Sequence, residues 1–202
     1  MNWNFWRKIM SKIFTPGAGL LYMKVGVHAQ ESLADIIKRK TKEIDDAGFA
    51  MWGYGGNTCH PLNMVQPFAE SVAQKDEPIF LCMQEMQSNH YAEPLRASEF
   101  SADGVTWRDI PDPINVLGSR YALVIDRLHA EEFSFYLDQT RVPIGPSTGR
   151  LGSNYIKGRV DKACLEVLDA PQLSNEMPRS EVKINLVAEL KPPYAVYLRG
   201  QG

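Results

Sequence analysis

The chain has 202 residues, of which 44% are hydrophobic and 23% charged, with a formal net charge of -2. That length and balance suit a domain with a real hydrophobic core and argue against extended disorder. The slight acidic excess carries no strong nucleic-acid signal, because phosphate binding normally leaves a basic surplus. Three widely spaced cysteines, Cys59, Cys82 and Cys164, do not form a disulfide framework and fit a reducing compartment, so a cytoplasmic location is expected. No run approaches the roughly 18 apolar residues needed to span a bilayer.

The chain opens with MNWNFWRKIMSKIF. Trp6, Ile9, Met10 and Ile13 share one helical face, and Arg7, Lys8 and Lys12 supply positive charge. Such a helix covers the body of the fold, or docks through residues 3–14 on a protein partner or membrane surface. Residues 15–19 (TPGAG) break it. The domain reading is therefore an N-terminal amphipathic helix and hinge over 1–19, then a single mixed α/β domain over 20–202. Met23 is a second candidate start.

Residues 20–28 predict a buried strand. Ser32 is placed to cap a following helix, with Asp35 three residues on and Gly48 as its stop. Leu33, Ile36, Ile37, Lys40 and Ile44 form its inner stripe, while Lys38, Arg39, Lys42 and Glu43 read as a solvated face. A second strand over 49–54 runs into WGYGGNTCHP, residues 52–61. A short helix is expected near Pro67 and a third strand over 78–86. Strands separated by helices suggest a partly parallel layer.

The second half changes character. Residues 99–107 carry an Asp-Gly hairpin signal, and 121–125 read as a central strand. Residues 130–138 read as a helix with Phe133, Tyr136 and Leu137 on one face. Val182, Ile184, Leu186, Ala188 and Leu190 alternate as a strand, Pro192 and Pro193 interrupt pairing, and 194–198 return as strand. The fold class expected is α/β or α+β, with a mixed sheet, a strand-helix-strand N-terminal half and an antiparallel-rich C-terminal half.

Two stretches carry candidate chemistry. In 52–61, glycines allow close backbone approach, Trp52 and Tyr54 offer rings for a planar ligand, and Asn57 adds hydrogen-bonding groups. The competing reading is a turn whose aromatics belong to the core. In 144–159, Ser147, Thr148, Arg150 and Arg159 sit among glycines, with no acidic residue between Arg141 and Arg159. Hydroxyls, amides and guanidinium groups of this kind suit a phosphate or carboxylate, and the alternative is a solubilising loop. The function expected is binding of a small anionic molecule or nucleotide between the two loops.

A hydrolytic enzyme is the rival reading. It would use Cys59, His60 and Glu85, with Glu85 raised in pKa by burial at a strand end. Adjacent residues usually point apart, so His28 or His90 suits Cys59 better than His60. No ligand pair has zinc-site spacing, so no metal is expected, and no motif identifies a cofactor. A third reading is an interaction or inhibitor protein acting through the N-terminal helix.

Overall fold

A computed structural model describes residues 11, 13–27, 31–87, 96–157, 160–169 and 180–200. The elements are β1 (Gly19–Val27), α1 (Leu33–Ala47), β2 (Ala50–Tyr54), a π-helical turn (Pro61–Val65), α2 (Gln66–Ala73), β3 (Phe80–Gln87), β4 (Ala97–Ser101) and β5 (Arg108–Asp109). They continue with β6 (Tyr121–Tyr136), a 3-10 turn (Leu137–Gln139), β7 (Thr140–Arg141), α3 (Gly152–Tyr155), β8 (Lys162–Val167) and β9 (Glu181–Gly200). Among the described residues the fold is α+β, built on a nine-stranded mixed sheet.

The strand order is β2, β6, β9, β3, β1, β8, β7, with β4 added to β9 and β5 to β4. β1 and β3 pair in parallel, Leu21 opposite Leu81, and the other named pairings are antiparallel. The opening strand-helix-strand unit therefore does not place its two strands side by side: β3, β9 and β6 lie between them.

Central strands are apolar on both sides because both sheet faces are covered. Leu21, Met23 and Val25 of β1 face one layer with Leu81, Met83, Leu123, Ile125, Phe68 and Val72. Leu20 and Tyr22 face the other, with Phe80, Cys82, Phe135 and Ile184. A third cluster joins Met51, Ala122, Val124 and Val196 to Ile110, Ile114 and Val116. Truncating a fully buried leucine such as Leu21 or Leu81 in these layers costs about 2–5 kcal/mol.

The expected caps of α1 are present. Ser32 accepts from the Asp35 amide, and Gly48 closes the helix at φ 79, a left-handed conformation that glycine adopts without penalty. The charged face differs from expectation. Glu43 is buried rather than solvated, at 2% exposure, and Lys40 at 5%. Lys40 Nζ donates to both Glu43 oxygens at 3.0 and 2.8 Å, to Met51 O at 2.6 Å and to Asn115 O at 2.9 Å. The pair joins helix, strand and loop, so its charges satisfy backbone groups that packing would otherwise strand.

Residues 130–138 are not a helix. β6 continues through them to Tyr136, with Phe133 opposite Ile184 and Phe135 opposite Val182. The long edge of β9 supplies a partner all along, and tertiary pairing overrides local propensity. Past a register shift between Ala130 and Phe133, Phe133, Phe135 and Leu137 meet the second layer at every other position, and Tyr136 does not belong to that face. The proline interruption in β9 does appear: Leu123 pairs with Ala195 but Ile125 with Leu190, so the residues between bulge out of the ladder.

Of the N-terminal segment, residues 1–10 and 12 lie outside the described residues, and with them most of the docking surface expected over 3–14. Ile13 is buried in the second layer, and Phe14 meets Phe133 edge-on at 5.7 Å. No helix among the described residues is long and apolar enough to cross a membrane.

Candidate functional site

The loop after β2 is held from several sides. Gly56 sits at φ 68, where a Cβ would lie 2.9 Å from the Tyr121 ring, and Cys59 takes a left-handed φ of 53. A non-glycine residue in that region stores strain of about 1–3 kcal/mol and needs support from its surroundings. Tyr54 gives it, donating to Cys59 O at 2.8 Å. Thr58 Oγ1 donates to Asp161 at 2.8 Å, and Asp161 pairs with the buried Lys162 at 2.7 Å. The Lys162 ammonium also lies 5.3 Å from the Tyr54 ring centroid, within cation–π range. Trp52 and Tyr54 themselves are core residues, at 6% and 0% exposure, while Asn57 is exposed.

His60 does not face Cys59. Its Nδ1 accepts from the Asn63 amide at 3.3 Å, capping the π-helical turn, and Nε2 lies 3.1 Å from the Tyr121 hydroxyl. Both ring nitrogens are therefore engaged away from the thiol, with the proton on Nε2 while Nδ1 accepts. Glu85 is exposed near the end of β3, as a carboxylate that reaches solvent at a strand end and without the burial that the hydrolytic reading requires. His28, His90 and Arg159 lie outside the described residues.

What Cys59 does meet is a second thiol. Its Sγ is 3.4 Å from Cys164 Sγ, across 105 positions of sequence. Either thiol can be the donor in this contact; hydrogen bonding with Cys164 first, then Tyr54 and the Lys162 cation, draw the Cys59 pKa below its ordinary value against the effect of burial. Burial drives Cys164 the other way. Cys82 has burial alone acting on it and is pushed up to about 12. Among the described residues no group of three His, Cys, Asp or Glu is placed to hold a metal ion.

The second stretch folds into consecutive turns. Thr148 donates to Gly145 O through both its amide, at 3.1 Å, and its hydroxyl, at 2.6 Å, and Gly149 N donates to Val142 O at 2.8 Å. At Gly145 this stretch approaches the π-helical turn that follows the 52–61 loop: a Cβ there would lie 2.7 Å from Met64. The surroundings of this contact are apolar: Ile144, Leu62 and Met64 each pack against the first layer.

Beside that contact lies a cavity of about 390 Å³, walled by Phe68 and Val72 of α2, with Lys75, Arg141, Thr148 and Glu166 as polar groups. Gly19 forms its floor in β1; a Cβ there would meet Val72 at 2.6 Å. Arg141 pairs with Glu166 at 2.7 Å across β7 and β8, whereas Lys75 has no ion-pair partner among the described residues. Of the predicted ligand residues that are described, only Thr148 lines the cavity; Ser147 and Arg150 lie in the adjoining turn, where Arg150 reaches Asn154 O at 3.4 Å. Arg141 opens the locally basic stretch, but nothing in the sequence connects Lys75 or Glu166 to it, or Cys164 to Cys59.

The chain matches no protein-family model, and searches of curated proteins and of solved structures gave no significant match.

Proposed function

We propose that the protein binds a small molecule carrying a phosphate or carboxylate, in the cavity between α2 and the turns at 142–149. The observation that supports this reading is the Lys75 ammonium, without an ion-pair partner among the described residues, on the wall of a cavity whose other charged side chains, Arg141 and Glu166, pair with each other. Arg141, paired with Glu166 at 2.7 Å, and Thr148, whose hydroxyl donates to Gly145 O, would join by exchanging those partners for the ligand. At about 390 Å³ the cavity is at the small end of ligand pockets, which suits a ligand of mononucleotide size or less. Phe68 lines the cavity and no residue of the 52–61 loop does, so any flat contact falls to Phe68.

The test is thermal unfolding of the protein with inorganic phosphate, mononucleotides and small dicarboxylates, repeated with Lys75→Glu. A ligand that binds only the folded state raises apparent stability by about 2.7 kcal/mol at a hundredfold excess over Kd. One anion class should do so, and Lys75→Glu should abolish the gain. If no anion raises stability, or the gain survives Lys75→Glu, the proposal is wrong.

A further inference from the structure

We propose that Cys59 and Cys164 form a redox-active dithiol that reduces a peroxide and closes to an intramolecular disulfide. The 3.4 Å between their sulfurs must shorten to about 2.05 Å, the length of a disulfide. One side of that closure is fixed and the other is not part of the sheet. Cys164 is locked in β8 opposite Leu21, while Cys59 sits on a turn outside every strand, at a strained φ of 53. The turn can move toward the strand without breaking a ladder hydrogen bond.

The surroundings divide the labour between the two thiols. Cys59 lies on the turn with the Lys162 cation nearby and its pKa drawn down, whereas Cys164 is held in β8 with its pKa raised by burial, so Cys59 is the attacking sulfur. Cys164, fully buried, is the resolving thiol. Cys59 itself is only 4% exposed, which favours an oxidant of about water's size over a bulky disulfide. Above it the loop carries glycine at 55 and 56, and a Cβ at 55 would find only Lys162 Nζ within 4 Å.

The Cys59 thiolate attacks one peroxide oxygen. An S–O bond forms, the O–O bond breaks, and the departing hydroxide takes a proton to leave as water. Cys164 then attacks the sulfenic sulfur. The S–S bond forms, the S–O bond breaks, and the Cys164 proton goes to the leaving hydroxide as a second water. Two thiols lose two electrons in all, and one peroxide gains them. Cys82, on the opposite sheet face from both, takes no part and serves as an internal control.

The experiment treats the full chain with equimolar hydrogen peroxide, unfolds it in an alkylating agent and maps the peptides by mass. A chain lighter by two hydrogens is expected, with a Cys59–Cys164 cross-link, Cys82 alkylated, and full reversal by dithiothreitol. In Cys164→Ser, Cys59 should stop at a sulfenic acid that dimedone captures. All three thiols alkylated in the wild type would overturn the proposal, as would a cross-link through Cys82 or between chains, or Cys59 oxidised without closure. The wild-type map decides the matter even if a variant fails to fold.

Discussion

The buried Lys40–Glu43 pair makes a demanding test of the fold. Glu43→Gln keeps the shape of the side chain and removes the counter-ion. The Lys40 ammonium, at 5% exposure, is left with only a neutral amide and the carbonyls of Met51 and Asn115 around it. Breaking a buried pair by deleting one partner costs about 3–5 kcal/mol. For a chain of this size each kcal/mol moves Tm by about 2–4 °C, so a fall of roughly 6–20 °C is expected. Replacing both residues, Lys40→Met with Glu43→Leu, removes the stranded charge but still leaves the Met51 and Asn115 carbonyls without their donor. The Asn115 amide loses its acceptor as well, and at about 1–3 kcal/mol for each orphaned group the double variant should be no more stable than Glu43→Gln.

The pH dependence has a definite sign. Burial lowers the Lys40 pKa from 10.5 to about 8. Between those values the unfolded chain holds a proton that the folded chain has released, so stability rises with pH across that window, by about 3 kcal/mol for the full shift. The deficit of Glu43→Gln should shrink over the same range, since a neutral Lys40 needs no counter-ion. Urea unfolding at pH 7 and pH 10 measures both effects. A loss below 1 kcal/mol for Glu43→Gln, or a double variant as stable as wild type, would refute the assignment of the pair to backbone satisfaction.

Three other perturbations probe separate parts of the molecule. Gly152→Ala places a Cβ 2.2 Å from Thr140 Oγ1 and 2.8 Å from Leu137 O; overpacking of this kind costs about 1–3 kcal/mol, read by thermal denaturation. Tyr54→Phe removes the donor to Cys59 O and should cost about 1–3 kcal/mol, a loss that Trp52→Phe, with no such bond, should not reproduce in the amide exchange of the 55–60 loop. Asp103 accepts from the Thr106 and Val105 amides and from the Ser101 hydroxyl, which hold its pKa far below the ordinary carboxylate value. The order it brings to the 101–106 turn is complete above that ordinary value and is lost as pH falls through the depressed one. Amide shifts of Val105 and Thr106 followed by NMR should stay unchanged from neutrality to well below about pH 4, and an earlier transition would contradict the geometry.

Much of the fold was legible because local signals agreed with tertiary structure. The apolar runs of β1 and β3, the Ser32 cap and the Gly48 stop each have a short-range cause, and each element formed within a residue or two of expectation. The Asp-Gly hairpin also formed, pairing Glu99 with Asp109. What could not be read depends on partners distant in sequence. Phe133, Tyr136 and Leu137 fit a helical face until β9 is there to pair with them. Glu43 reads as solvent-facing until Asn115 arrives beside it from another part of the chain. The candidate site divides the same way. Thr148 is legible because its own segment is basic and glycine-rich. Lys75 and Glu166 reach the same cavity from beyond α2 and from β8, and Cys164 reaches Cys59 across 105 positions, separations on which residue spacing carries no information.

The position of β9 has a consequence for the newly made chain. It lies between β6 and β3 over one stretch and between β6 and β4 over another, yet every strand it joins precedes it in sequence. During synthesis, therefore, β1 can pair with β3 and β2 with β6, but the two half-sheets have exposed inner edges until residues 181–200 emerge. Unpaired edges of this kind invite association between chains. The nascent chain should accordingly be prone to association until β9 has emerged and paired with β3, β4 and β6.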